Sequence, residues 1–304
     1  MCNIIIAYAR KGIIYSFIFL LLLSLSNNNY AQKRSKVEPF DFVGLSVFIN
    51  AGCAIPNQLT AGFYNGTNSN QNTIERILHS QMYGQNIWTN LVNQGLISPS
   101  AITDYHGLKI VEHANTEYTI AMQLGLGLRY DFVKRFGMIA RFDHIKLTAK
   151  GMFNLSSGSP SSTLSNKNQY IPCGIYGTES RTYIDLGLFK SFFINNDWRF
   201  VLDFGVNVNS TKVLTNDIEI GGKEYSILDV WGGNSPDYGM QAYDYYQSGI
   251  GYGFFITPCI EYVLPNAMGI DLGVSVYYTK INIPGYDKFT PQCNVFIRFL
   301  TNKF

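Results

Sequence analysis

The stretch YTIAMQLGLGLRY, Tyr118 to Tyr130, alternates large apolar residues with small or polar ones. Tyr118, Ile120, Met122, Leu124, Leu126, Leu128 and Tyr130 share one parity, and Thr119, Ala121, Gln123, Gly125, Gly127 and Arg129 share the other. Successive side chains of a strand point to opposite faces, so the segment predicts a strand with one bulky apolar face. The aromatic residues at both ends of that face are placed where the two interfaces of a bilayer would lie.

The pattern recurs along the chain. Val43, Leu45, Val47, Ile49 and Ala51 form one such face, and Ile184, Leu186 and Leu188 another, opposite Asp185 and Gly187. Trp198, Phe200, Leu202, Phe204, Val206 and Val208 lie opposite Arg199, Asp203, Gly205, Asn207 and Asn209. Ile250 to Ile260, Met268 to Tyr278 and Val295 to Phe299 repeat it, while Met138 to Leu147 is noisier and predicts a strand with a bulge. Short connections (Asp131 to Phe136, Asn195 to Asp197, Pro265 to Ala267) alternate with long ones near residues 54 to 116, 154 to 181 and 213 to 247. A shorter loop covers Pro284 to Pro291. The expected fold is all-β: an antiparallel up-and-down transmembrane β-barrel of about eight strands.

A secreted soluble barrel shares the alternation, but its wet exterior carries Lys and Glu. Here the bulky faces are nearly free of charge, with Lys146 and Lys190 near strand ends, where long side chains reach an interface. Charged residues make up only 14% of the 304-residue chain and aromatics 15%, against roughly 25% charged in soluble proteins. A net charge of +2 is no footprint for nucleic acid.

Arg10 and Lys11, the apolar run Gly12 to Leu25, and the polar segment ending at Ala31 follow the order of a secretory signal peptide. Residues 1–31 are therefore expected to be a cleaved leader, and residues 32–304 the barrel domain. The terminal Phe304 is out of phase with the apolar face of Val295, Ile297 and Phe299.

The first long connection carries helical signals. Asn72 with Glu75 suggests a capping box before Ile74, Ile77, Leu78 and Met82, and Ile87, Trp88, Leu91 and Val92 precede Gly95. A short helical segment is expected there, either a cap over the barrel mouth or a partner-binding surface or plug.

The polar parity collects Arg129, Arg141, Arg199 and Arg298 with Asp143, Asp185, Asp203, Glu261 and Asp271. The interior of an eight-stranded barrel is just wide enough for side chains to fill. These charges are expected to pair in a lumen network that closes the barrel, the alternative being a narrow ion pathway. Asp143 and His144 are strand neighbours pointing to opposite faces, which leaves His144 without an orienting carboxylate for catalysis. The alternating Gly249, Gly251 and Gly253 place small residues on the lumen face rather than in a phosphate loop. No motif implies a cofactor, and cysteine spacings do not fit zinc. Cys53 and Cys293, near the rim on neighbouring strands, are candidates for a disulfide, in competition with Cys173; Cys259 reads as a small buried residue.

This layout, ending on the strand that carries Arg298 and Phe299, resembles the outer-membrane β-barrel domain family of Bacteroidota, including PorT-like proteins. It is also similar to small barrels of the outer-membrane protein A and X type. The resemblance implies an integral outer-membrane barrel in contact with lipid and carries over no functional residue. A non-enzymatic structural or partner-binding barrel is expected, with a small pore or a lipid-modifying enzyme as alternatives.

Overall fold

The computed structural model describes residues 43–67, 73–97, 107–156, 170–195, 197–228, 247–264, 268–283, 285–286 and 288–301. The expected leader and Phe304 lie outside them. The alternating segments form eight long strands: β1 Gly44–Ile55, β2 Ala121–Val133, β3 Phe136–Ser156, β4 Tyr170–Phe193, β5 Trp198–Ile220, β6 Ser248–Val263, β7 Gly269–Lys280 and β8 Phe289–Leu300. Each pairs antiparallel with the next. The last pairs with the first, placing Ala51 opposite Ile297, and the ring closes. Closure removes every edge, so each backbone group in the ring can be satisfied without water.

The faces follow the sequence parity. Met122 and Phe254 are 66% and 62% exposed on the outside, whereas Gln123 and Asp203 are fully buried inside. A continuous outward belt of Leu, Ile, Val and Phe is far more apolar surface than water tolerates, and it is the lipid-facing band of a membrane barrel. Ring pairs Tyr130–Phe132, Phe132–Phe136, Phe192–Phe200 and Trp198–Tyr262 form an aromatic girdle at the short-turn end. Phe289, packed on Tyr252 and Tyr278, marks the opposite interface. From Trp198 to Val208 the outward face rises about 25 Å at ordinary strand tilt, the height of such a band.

Above the belt the barrel is lopsided. The row His144, Thr182, Ser210 replaces apolar side chains on the outside of β3, β4 and β5, yet these strands continue. β4 has 24 residues, twice the 12 of β7 or β8. Much of the expected loops at 154 to 181 and 213 to 247 is thus strand. The extension also pairs with the short strands Lys109–Glu112, Glu117–Tyr118 and Lys223–Ser226. Gly221 and Gly222, both at positive φ, make the tight turn from β5 into Lys223–Ser226.

The connection after β1 supplies a 3-10 turn, Gln58–Tyr64, then helices α1 Ile74–Leu78 and α2 Gln81–Asn93. Asn57, Thr73 and Ser80 cap them, each accepting a backbone N–H. The expected first helix is cut short because Ser80 starts a new one, and its cap is Thr73; Asn72 lies outside the described residues. Gly95, at φ 68°, ends the second helix as its position predicts. Ile74, Ile77, Leu78, Ile87 and Leu91 pack against Phe153, Leu155, Ile171, Ile175, Ile218 and Ile220 from the inner face of the extended strands. This second hydrophobic core gives the cap its own stability.

Three local expectations change. Tyr118 is buried rather than lipid-facing, because the chain leaves regular pairing at Thr119 and Ile120 and the phase slips there. No bulge interrupts Met138 to Leu147, whose register with β4 is continuous. The row Gly249, Gly251, Gly253 accommodates not lumen side chains alone but the close backbone of the β7 side, since a Cβ on Gly251 or Gly253 would strike the carbonyl of Lys280 or Tyr278.

Candidate functional site

The inward residues assemble into three polar tiers stacked along the barrel. The lowest, next to the short turns, sets Arg129, Arg199 and Arg298 against Asp203, Glu261 and Asp271, three cations against three carboxylates. Arg129 reaches Glu261 at 2.9 Å and Asp271 at 3.2 Å. Arg298 reaches both Asp203 and Asp271 at 3.1 Å, and Arg199 contacts Glu261. Strand register explains the match: Arg199 lies opposite Glu261, Glu261 opposite Asp271, and Asp271 opposite Arg298. The Arg129 guanidinium also lies over the Phe189 ring and that of Arg298 over Phe48, filling the space between charges with aromatic surface.

The middle tier centres on Arg141, 3.0 Å from Asp143 and 2.5 Å from Asp185. One cation faces two carboxylates, and neutral donors offset the surplus. Asn50 donates to Asp143 at 2.7 Å, while Asn207 and Tyr277 donate to Asp185 at 2.5 and 3.0 Å.

The upper tier is absent from the sequence-derived set. Arg181 pairs with Glu179 and donates to Gln292, Thr60 and Tyr118. Tyr64 and Tyr118 donate to the Glu179 carboxylate at 2.6 and 3.1 Å. Burial first, then the Glu179 carboxylate, holds both phenols well above the ordinary tyrosine range. Through Tyr64, the 3-10 turn is fastened into the barrel mouth as a plug, with Ala61 and Phe63 in the barrel core. A Cβ on Gly177 would fall inside the Tyr64 ring, so glycine makes room for the plug. Glu179 and Arg181 escaped notice because their outward neighbours Thr178, Ser180 and Thr182 lack the apolar signature of a lipid face. Extending the parity of Asp185 upstream through Tyr183 would have found them.

All nine charged residues expected in the lumen are buried there, and they separate into two clusters rather than one. The expected disulfide is not formed: Cys53 and Cys293 are free thiols. Cys53 lies opposite Val295, and Cys293 opposite Ile55. That two-residue diagonal offset, about 7–8 Å, is too far for a disulfide. His144 faces outward, with Nδ1 3.2 Å from the Thr182 hydroxyl, while Asp143 points into the lumen.

No protein-family model matches the sequence, and no curated protein is detectably similar to it. Among solved structures, the Neisserial surface protein A (NspA) is similar at 9% identity and TM-score 0.41, over 85% of this chain and 97% of that one. Ail, the attachment invasion locus protein of Yersinia pestis, gives 11% identity and TM-score 0.33 over 86% and 100%. The outer membrane protein OprG of Pseudomonas aeruginosa gives 10% and 0.38 over 88% and 100%. These overlays are loose, and the fold assignment stands on the closed ring and its belt. The chain is an integral outer-membrane barrel.

Proposed function

We propose that this is a non-enzymatic barrel, sealed to solutes, that displays a folded cap on the cell surface to engage a protein partner. The observation that carries it is the combination of three buried polar tiers with a mouth plugged by Gln58–Tyr64. A lumen filled by paired charges and aromatic rings leaves no continuous aqueous path. The material invested above the membrane is instead an ordered surface, with two helices on a private hydrophobic core. Long connections on outer-membrane barrels lie outside the cell, which orients the cap outward.

Support for a non-catalytic role comes from His144, which contacts a threonine hydroxyl in place of a carboxylate. The signal-peptide-like order of residues 1–31 in the sequence and the layout of the strands support placing the protein with PorT-like barrels.

The test has two arms. The refolded barrel in planar bilayers should show negligible conductance; stepwise single-channel currents would overturn the sealed lumen. Replacing residues 74–93 by a short Gly/Ser linker should abolish capture of a surface partner while the barrel stays resistant to SDS at room temperature. Undiminished capture would overturn the cap as the binding surface.

A further inference from the structure

We infer that the outer faces of β3, β4 and β5, just above the belt, form a cradle for the phosphate of an anionic lipid headgroup. Lys146 and Lys212 stand opposite Ser180, one on either side of it, in a single cross-strand row. Two strand spacings set their backbones about 10 Å apart. The next row toward the membrane is His144, Thr182 and Ser210, and the next row outward is Thr148, Thr178 and Thr215. Two cations thus flank the Ser180 hydroxyl on the outer face, between a hydrogen-bonded His144–Thr182 pair below and a Thr178–Thr215 pair above, where the register shifts by one residue past Lys212.

Depth selects the ligand. Phe142 and Ile184 are the last apolar pair on β3 and β4, and the lysine row lies two pairs further out, on the order of 13 Å along the strand. That is the headgroup layer rather than open solvent. The charge order along the face points the same way. Lys150 stands opposite Glu117, and the carboxylates Asp217 and Glu219 come only further out, opposite Tyr176 and Gly174. Cations lie at the depth of lipid phosphates and anions beyond it, the arrangement an anionic leaflet favours. The other side of the barrel ends at the belt with the aromatic group Tyr252, Tyr278 and Phe289, so the cradle occupies the lopsided side alone. The same strands carry the cap, and a headgroup held here would brace the base of the extension.

The experiment compares the wild-type protein with K146Q/K212Q and K146R/K212R, all refolded in a zwitterionic detergent. Retained lipid is counted by native mass spectrometry after addition of phosphatidylglycerol or phosphatidylcholine. A lysine near an anionic surface contributes a factor of about five, so two contribute about 25-fold. The wild type should prefer phosphatidylglycerol by at least about tenfold, the Arg variant should keep that preference, and the Gln variant should lose it. Excess inorganic phosphate should not displace the lipid. Equal preference in wild type and Gln variant would overturn the cradle, and full displacement by inorganic phosphate would overturn its assignment to a lipid. Because both lysines project outward from continuous strands, all three proteins should keep the gel shift of a folded barrel. If the Gln variant fails to refold, the single variants K146Q and K212Q carry the test, each losing about fivefold.

Discussion

The Tyr64 hydroxyl donates to the Glu179 carboxylate at 2.6 Å, joining the 3-10 turn after the first strand to the extension of the fourth. This bond and the one from Tyr118 tie together segments far apart in sequence at the mouth of the barrel.

Tyr64→Phe should loosen the plug. A buried hydrogen bond to a charged group contributes about 1.5–3 kcal/mol. Backbone amides of residues 58–64 should exchange roughly tenfold faster or more in hydrogen-exchange mass spectrometry, while conductance stays negligible because the two lower tiers are untouched. Exchange at wild-type rates would show that the bond contributes nothing.

The plug should also resist alkali. Both phenols are raised by burial and by Glu179, so their contribution is fully present below the free tyrosine value of about 10 and is lost only as pH climbs through the higher folded values. Exchange protection of residues 58–64, corrected for intrinsic rates, should be flat from about pH 6 to 9 and fall only above about 10. A fall near neutrality would contradict the assignment.

Gly177→Val tests the packing rather than the hydrogen bond. Its side chain would occupy the space of the Tyr64 ring, and overpacking of this kind costs about 1–3 kcal/mol. Protease cleavage within residues 58–67 should appear in the variant, with the strand ring intact by circular dichroism.

In the lowest tier, Arg298→Met leaves Asp203 with only its longer contact to Arg129 at 3.8 Å, while Asp271 keeps Arg129 at 3.2 Å. Removing one partner of a buried pair costs about 3–5 kcal/mol. The temperature at which the folded gel band disappears should drop sharply. Adding Asp203→Asn should recover part of the loss, because the carboxylate left with one long ion pair goes with it. A double variant weaker by the plain sum of both changes would argue against direct coupling.

Cys173 lies inward in the outer half of β4, and burial, with Glu219 nearby, pushes its thiol up to about 12. The thiolate is the reacting species, so alkylation at pH 8 should be very slow in the folded barrel and fast in urea. Comparable labelling in both states, read by peptide mapping, would show that the cap core is open.

Parity alone determined the ring and its inside and outside. A strand bounded by lipid on one face and a crowded lumen on the other must alternate in chemistry, so Tyr130 to Met122, Trp198 to Val208 and the nine lumen charges were legible from their spacing. Tertiary structure decided what happens where lipid ends. Above the row of His144 and Thr182 the outer face meets water and headgroups, Thr and Ser suffice there, and the pattern that marks a spanning strand disappears although the strand goes on. Glu179 and Arg181 were hidden for that reason. Tyr118, read at first as the upper aromatic of the lipid face, turns inward because a break at Thr119 and Ile120 reverses its phase. Its hydroxyl then finds the Glu179 carboxylate, a partner that only the folded barrel brings within reach.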